Sequence, residues 1–129
     1  MVAFRKWAGH GQGGFNDPQI TVSDDLISLR PVGVENKRAL LSHRGTIAMS
    51  SAERGVTFVK KADYNPLGAY PLGTNIAFYV GPDNFMVEME TMSPERTLKP
   101  GESHHHVETW TLKPEATEFR CAADLDTLT

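Results

Sequence analysis

The tetrapeptide Gly81-Pro82-Asp83-Asn84 constrains the fold more than any other stretch of the chain. Pro82 suits the second position of a turn because its ring presets φ, and β-compatible runs flank it at 75–80 and 85–91. The pattern predicts a hairpin. In its second strand, alternation puts Phe85, Val87 and Met89 on one face and Met86, Glu88 and Glu90 on the other. The first face is expected to be core, and the second to carry the acids.

The same reading extends along the chain. Residues 46–50 and 56–61 flank a Ser-Ala-Glu-Arg-Gly connection, with Gly55 available for a positive φ, so they form a second expected hairpin. Residues 20–30 hold two short strands around a Ser23-Asp24-Asp25 break. Between 31 and 44, residues 34–41 fit a short helical turn while 39–43 fit the start of a strand, and periodicity does not separate the two. The repeated Pro-Leu-Gly of 64–73 reads as a surface connection with Leu67, Tyr70 and Leu72 tucked inward, or as a rim over a cleft. Residues 93–103 read as a loop crossing between sheets, 104–112 as a strand, and 117–121 as a final strand before an acidic end. About seven or eight short strands, many turns and no convincing amphipathic helix define an all-β, antiparallel β-sandwich, with a closed barrel as the alternative.

A length of 129 residues suits one domain, 1–129, whose first 18 residues read as an irregular N-terminal arm pinned by Trp7 and Phe15 onto the body or a second subunit. With 40% hydrophobic and 22% charged residues the chain has the apolar content that disordered chains lack. The formal net charge of -3, with basic residues scattered, excludes a nucleic-acid-binding stripe. The single cysteine, Cys121, forms no internal disulfide and suits a reducing compartment. No apolar run near the start is long enough for a signal peptide or membrane span, so a cytoplasmic protein without a membrane partner is expected.

Candidate site residues concentrate in 73–113. On a strand, His104 and His106 emerge on one face about 7 Å apart, with Glu108 next, which suits two imidazoles and a carboxylate around a metal ion. That spacing resembles the His-x-His of cupin metalloproteins, although Glu108 follows too soon for the cupin pattern. The plainer alternative is a polar strand face, and no cofactor is expected. Glu88 and Glu90 are also same-face neighbours: on a concave surface one serves as general base, and a histidine across the cleft as acid. On a solvated surface they are ordinary carboxylates. Lys60, Lys61 and Asn75 sit at strand ends, where polar groups bond hydroxylated ligands or simply meet water. Trp110 offers either a flat surface for a sugar ring or a core aromatic. Neither a Ser/His/Asp or Cys/His arrangement nor a phosphate-cradling glycine loop is identifiable.

Phe58-Val59-Lys60-Lys61, Gly73-Thr74-Asn75 leading into Phe78-Tyr79, the run from Met86 to Pro94, and Leu98-Lys99-Pro100-Gly101-Glu102-Ser103 followed by His106-Val107-Glu108-Thr109-Trp110 together give 56–112 a family likeness. This stretch resembles the C-terminal half of galactose-mutarotase-like supersandwich proteins, in particular their poorly characterised bacterial branch. The resemblance implies a sandwich whose concave face receives a carbohydrate or polyol, and for true mutarotases a Glu and a His working on the anomeric centre. It assigns Glu88, Glu90 and His106 to proton transfer in a weak aldose-epimerase-like activity, and, with Trp110 added as a sugar platform, Lys60, Asn75 and Glu108 to substrate binding. Such domains are about twice this length, so a half-sandwich needs a cover for its exposed sheet. A homodimer or higher even oligomer is the expected cover. Two other functions fit the same residues: a non-catalytic oligomeric module, and a small metalloprotein using His104, His106 and Glu108.

Overall fold

A computed structural model describes residues 17–128 together with the main chain of 4–6. Its strands are β1 (Phe4–Lys6), β2 (Ile20–Val22), β3 (Ile27–Leu29), β4 (Asn36–Leu40), β5 (Thr46–Ser51), β6 (Val56–Lys61), β7 (Ile76–Val80), β8 (Val87–Thr91) and β9 (Thr109–Lys113), followed by one short helix, α1 (Ala122–Asp126). All pairings are antiparallel, in a four-stranded sheet ordered β1-β4-β7-β8, a three-stranded sheet ordered β5-β6-β9 and the β2-β3 hairpin. The molecule is an all-β, sandwich-like fold. Apart from β1, the arm expected over 1–18 lies almost wholly outside the described residues. No helix among the described residues is long and apolar enough to cross a membrane.

All three expected hairpins form. β7 and β8 pair from Ile76–Thr91 to Val80–Val87, and the turn between them places Asp83 and Asn84 at φ 54°, a left-handed conformation that Asp and Asn tolerate. A Cβ on Gly81 would lie 2.1 Å from the Phe85 ring, so a larger residue there would have to displace that exposed side chain. Phe85 itself belongs to the turn and is 66% exposed, not part of the core face as alternation predicts. Gly55 takes φ 62° between β5 and β6, and β2 and β3 pair across the Ser23-Asp24-Asp25 break.

The ambiguous stretch after Pro31 resolves as β4, an interior strand of the larger sheet, although it reads Asn-Lys-Arg-Ala-Leu. Tertiary partners override its weak β-propensity. Asn36 and Arg38, both almost fully buried, join Asp17 and Gln19 in a closed polar network. Asn36 Nδ2 donates to Asp17 Oδ2 and Arg38 Nη1 to Asn36 Oδ1, while Gln19 donates its main-chain N–H to Asp17 Oδ1 at 2.8 Å and its amide to the Val34 carbonyl at 2.9 Å. Burial pulls the Arg38 guanidinium below its usual range, and the Asp17 charge opposes that.

Ala39, Ala77 and Val80 fill the centre of the four-stranded sheet and Val59 that of the smaller sheet. Several other expectations fail for identifiable reasons. In the 64–73 connection only Tyr70 is buried, its hydroxyl accepting the Asn65 N–H at 2.8 Å, whereas Leu67 is 95% exposed and Leu72 54%. The stretch 104–108 does not continue β9, because the β6–β9 pairing stops at Lys61–Thr109 and the preceding segment is drawn toward β8, where Thr91 bonds His106 and Glu108. No strand forms at 117–121: Thr117 N–H is taken by the Ser50 and Thr57 hydroxyls, and the Asp124 carboxylate accepts the N–H groups of Arg120 and Cys121 to start α1.

Candidate functional site

Four of the sequence-predicted residues meet where the two larger sheets approach each other. Lys60 comes from β6 and Trp110 from its register partner on β9, while His106 and Glu108 come from the segment entering β9. The edge strand β8 contributes Thr91 and the Met89 carbonyl.

Glu108 is the hub. Its Oε1 accepts the Thr91 hydroxyl and lies 3.0 Å from Lys60 Nζ, and its Oε2 accepts the Trp110 indole N–H at 2.7 Å. Partial burial pushes this carboxyl up, but the bonds from Thr91, Trp110 and Lys60 and the Lys60 charge outweigh it and hold the pKa at about 2. Glu108 is therefore a fixed anion at neutral pH and a weak base. Lys60 is equally committed, since it also donates to the Met89 carbonyl at 2.9 Å. With its own proton given to Glu108, the Thr91 oxygen accepts from His106 Nε2 at 2.7 Å. That assigns a proton to Nε2 and leaves Nδ1 of a neutral His106 as an acceptor.

Trp110 is the open side of this cluster. Lys60 Nζ stands 5.4 Å from its ring centroid and Phe58 meets it at an 84° interplanar angle, yet the residue is 65% exposed. Committed Lys60 and Glu108 heads hold the indole in place, and its surface remains available.

The other candidates lie elsewhere. Register puts Glu88 and Glu90 on the β8 face shared with Tyr79, Ala77, Ala39 and Lys37, opposite the face of Thr91. Glu90 pairs with Lys37 at 2.5 Å, and Tyr79 donates to Glu35 at 2.7 Å; that bond, burial and the nearby Glu35 and Glu88 charges raise the Tyr79 hydroxyl above its usual value. The structure thus brings His106 to Glu108 and not to Glu88 or Glu90. Asn75, 4% exposed, spends its side chain on the main chain of Ser42, accepting at 2.7 Å and donating at 2.8 Å, and so ties two chain segments together. His104 and His105 are exposed in the irregular segment, and no group of three His, Cys, Asp or Glu side chains among the described residues is arranged to hold a metal ion.

Thr91 is the member of the cluster that the sequence reading misses. Its signal was available, because alternation along β8 sets it opposite Glu88 and Glu90, at the strand end nearest the crossing loop. A polar cleft of about 530 Å³ lies on the other face of β6, lined by His43, Arg44, Thr46, Lys61, Asp63, Tyr64 and Asp126. An Arg44–Asp126 ion pair and His43–Tyr64 stacking at 5.0 Å already engage its walls.

No family model, curated protein or solved structure matches the chain. The assignment of function therefore rests on the chemistry of the site.

Proposed function

We propose that this protein binds a neutral carbohydrate or polyol at Trp110, without turning it over. The observation that carries the reading is the exposed indole, fixed from one side by Glu108 and Lys60. Flat, immobile aromatic surface gives the C–H face of a sugar ring a large contact at little entropic cost. Beside it stand an acceptor and a ring suited to hydroxyls: the remaining Oε2 lone pair of Glu108 and the His106 imidazole. Binding without turnover follows from the protonation chemistry, since a general base works best with a pKa near the operating pH and Glu108 is held far below it. Glu88 and Glu90 face away from His106, which separates the base and acid that epimerisation would need.

Tryptophan fluorescence under titration with neutral aldoses and alditols tests this. The expected result is a saturable change that disappears in Trp110→Ala and weakens in Glu108→Gln, while polarimetry shows anomer interconversion at the uncatalysed rate. No saturable change with any sugar or polyol in the millimolar range would sink the binding reading. Accelerated interconversion would overturn the absence of turnover.

A further inference from the structure

The exposed apolar side chains of the smaller sheet are not spread evenly. Met49, Phe58 and Leu112 are register partners across β5, β6 and β9 on one face, and Ile47, Lys60 and Trp110 form the next row. Phe58, on the central strand, is half-buried, while Leu112 and Trp110, on the outer strand, are 68% and 65% exposed. β8 packs over β5 and β6 on this side, while Trp110 and Leu112 of β9 stay exposed. The exposed surface is therefore the strand at the open edge.

Among the described residues, none supplies that edge with the usual protection along its length. Among the described residues, β9 makes main-chain hydrogen bonds to β6 alone, so its outward N–H and C=O groups are free to pair. The other edge of this sheet, β5, has α1 packed against it, and the β8 edge receives the Lys60 ammonium at Met89. Between Thr109 and Lys113 there is neither proline nor bulge, and the one charge stands at the last position.

We propose that β9 pairs antiparallel with β9 of a second copy of this chain about a two-fold axis through Thr111. The sequence Thr-Trp-Thr-Leu-Lys is self-complementary in that register. Trp110 faces Leu112 of the second copy, Thr111 faces its own counterpart, and Thr109 faces Lys113, so no like charges are opposed. Aromatic–aliphatic and Thr–Thr pairs are favourable cross-strand neighbours, and an antiparallel edge satisfies the two-fold symmetry of an isologous dimer. A shift by two residues toward the N-terminus sets Glu108 against Leu112, and the opposite shift sets Trp110 against Pro114. The dyad at Thr111 is the register that pairs all five residues. Even spacing about Thr111 also keeps Trp110 and Leu112 of both copies on one face, where each covers the other. The product is a continuous six-stranded sheet, β5-β6-β9 followed by its two-fold mate. This proposal stands apart from the sugar reading, and its test contains no sugar.

The test is sedimentation velocity of the full chain across a micromolar concentration series, with Thr111→Lys, Thr111→Glu and an equimolar mixture of the two. The wild type is expected to dimerise, and each variant to associate about tenfold more weakly or less, because like charges then meet at the dyad. Mixing the variants is expected to restore the dimer, which a merely misfolded variant cannot do. Hydrogen exchange of the wild type supplies a readout that needs no variant: the 109–113 amides should slow as concentration rises, while β7 amides stay unchanged. A wild type that remains monomeric overturns the proposal. So does a dimer whose affinity ignores both substitutions, or exchange in 109–113 that does not depend on concentration.

Discussion

Two polar clusters in this molecule use nearly the same chemistry and serve different ends. Asp17, Gln19, Asn36 and Arg38 form a closed network, every member almost inaccessible to water. Lys60, Thr91, His106, Glu108 and Trp110 form an equally connected network that ends in an exposed indole. In the first, the charge is spent on holding a polar strand inside a sheet. In the second, the charges hold one another, and what they position is left facing solvent. Connectivity alone does not distinguish scaffold from site; the accessible member does.

The contrast can be broken at its buried end first. Arg38→Met leaves the Asp17 carboxylate without its neighbouring charge inside the protein, and a loss of about 3–5 kcal/mol in urea unfolding is expected. Glu108→Gln is the matching change in the open cluster. It keeps the shape but deprives Lys60 of its counter-charge, with an expected loss of about 1–3 kcal/mol. Equal losses at the two positions would mean that the second cluster is scaffold as well.

Acid titration sharpens the same comparison. The Glu108 carboxyl is depressed in the folded protein from 4.5 to about 2, so the stability it contributes is fully present above pH 4.5 and is lost as pH falls toward 2. The stability advantage of wild type over Glu108→Gln should therefore close across that window, as measured by urea midpoints at successive pH values. The smallest stability effect belongs to Trp110→Ala. Its side chain is mostly outside the packed interior, and a change within about 0.5–1 kcal/mol is expected, set against complete loss of the sugar-induced fluorescence change. A large stability loss would place Trp110 with the scaffold.

Much of the fold was legible because hairpins are local: Gly81 to Asn84 and Gly55 carry their turn geometry in four or five residues. β4 was not, since Asn36, Lys37 and Arg38 are tolerated in an interior strand only through partners such as Asp17 and Glu90, far away in sequence. Alternation likewise marked 104–112 as one strand but carried no information on where β6 stops. Within the site, Lys60, His106, Glu108 and Trp110 were recognisable by residue type, and their convergence was not, because it depends on how a loop returns from β8. The assignment of Asn75 to ligand binding illustrates the converse, as its amide is matched to the main chain of Ser42.

The indole of Trp110 has one further consequence. Held on one side by Lys60 and Glu108, it has a single outward side to offer, and both the proposed sugar and Leu112 of a second copy would use it. Two ligands that compete for one surface are linked, and linkage is reciprocal: the factor by which sugar loosens the pair equals the factor by which pairing weakens sugar. The state of assembly would then report the concentration of free sugar, with one aromatic ring as the transducer.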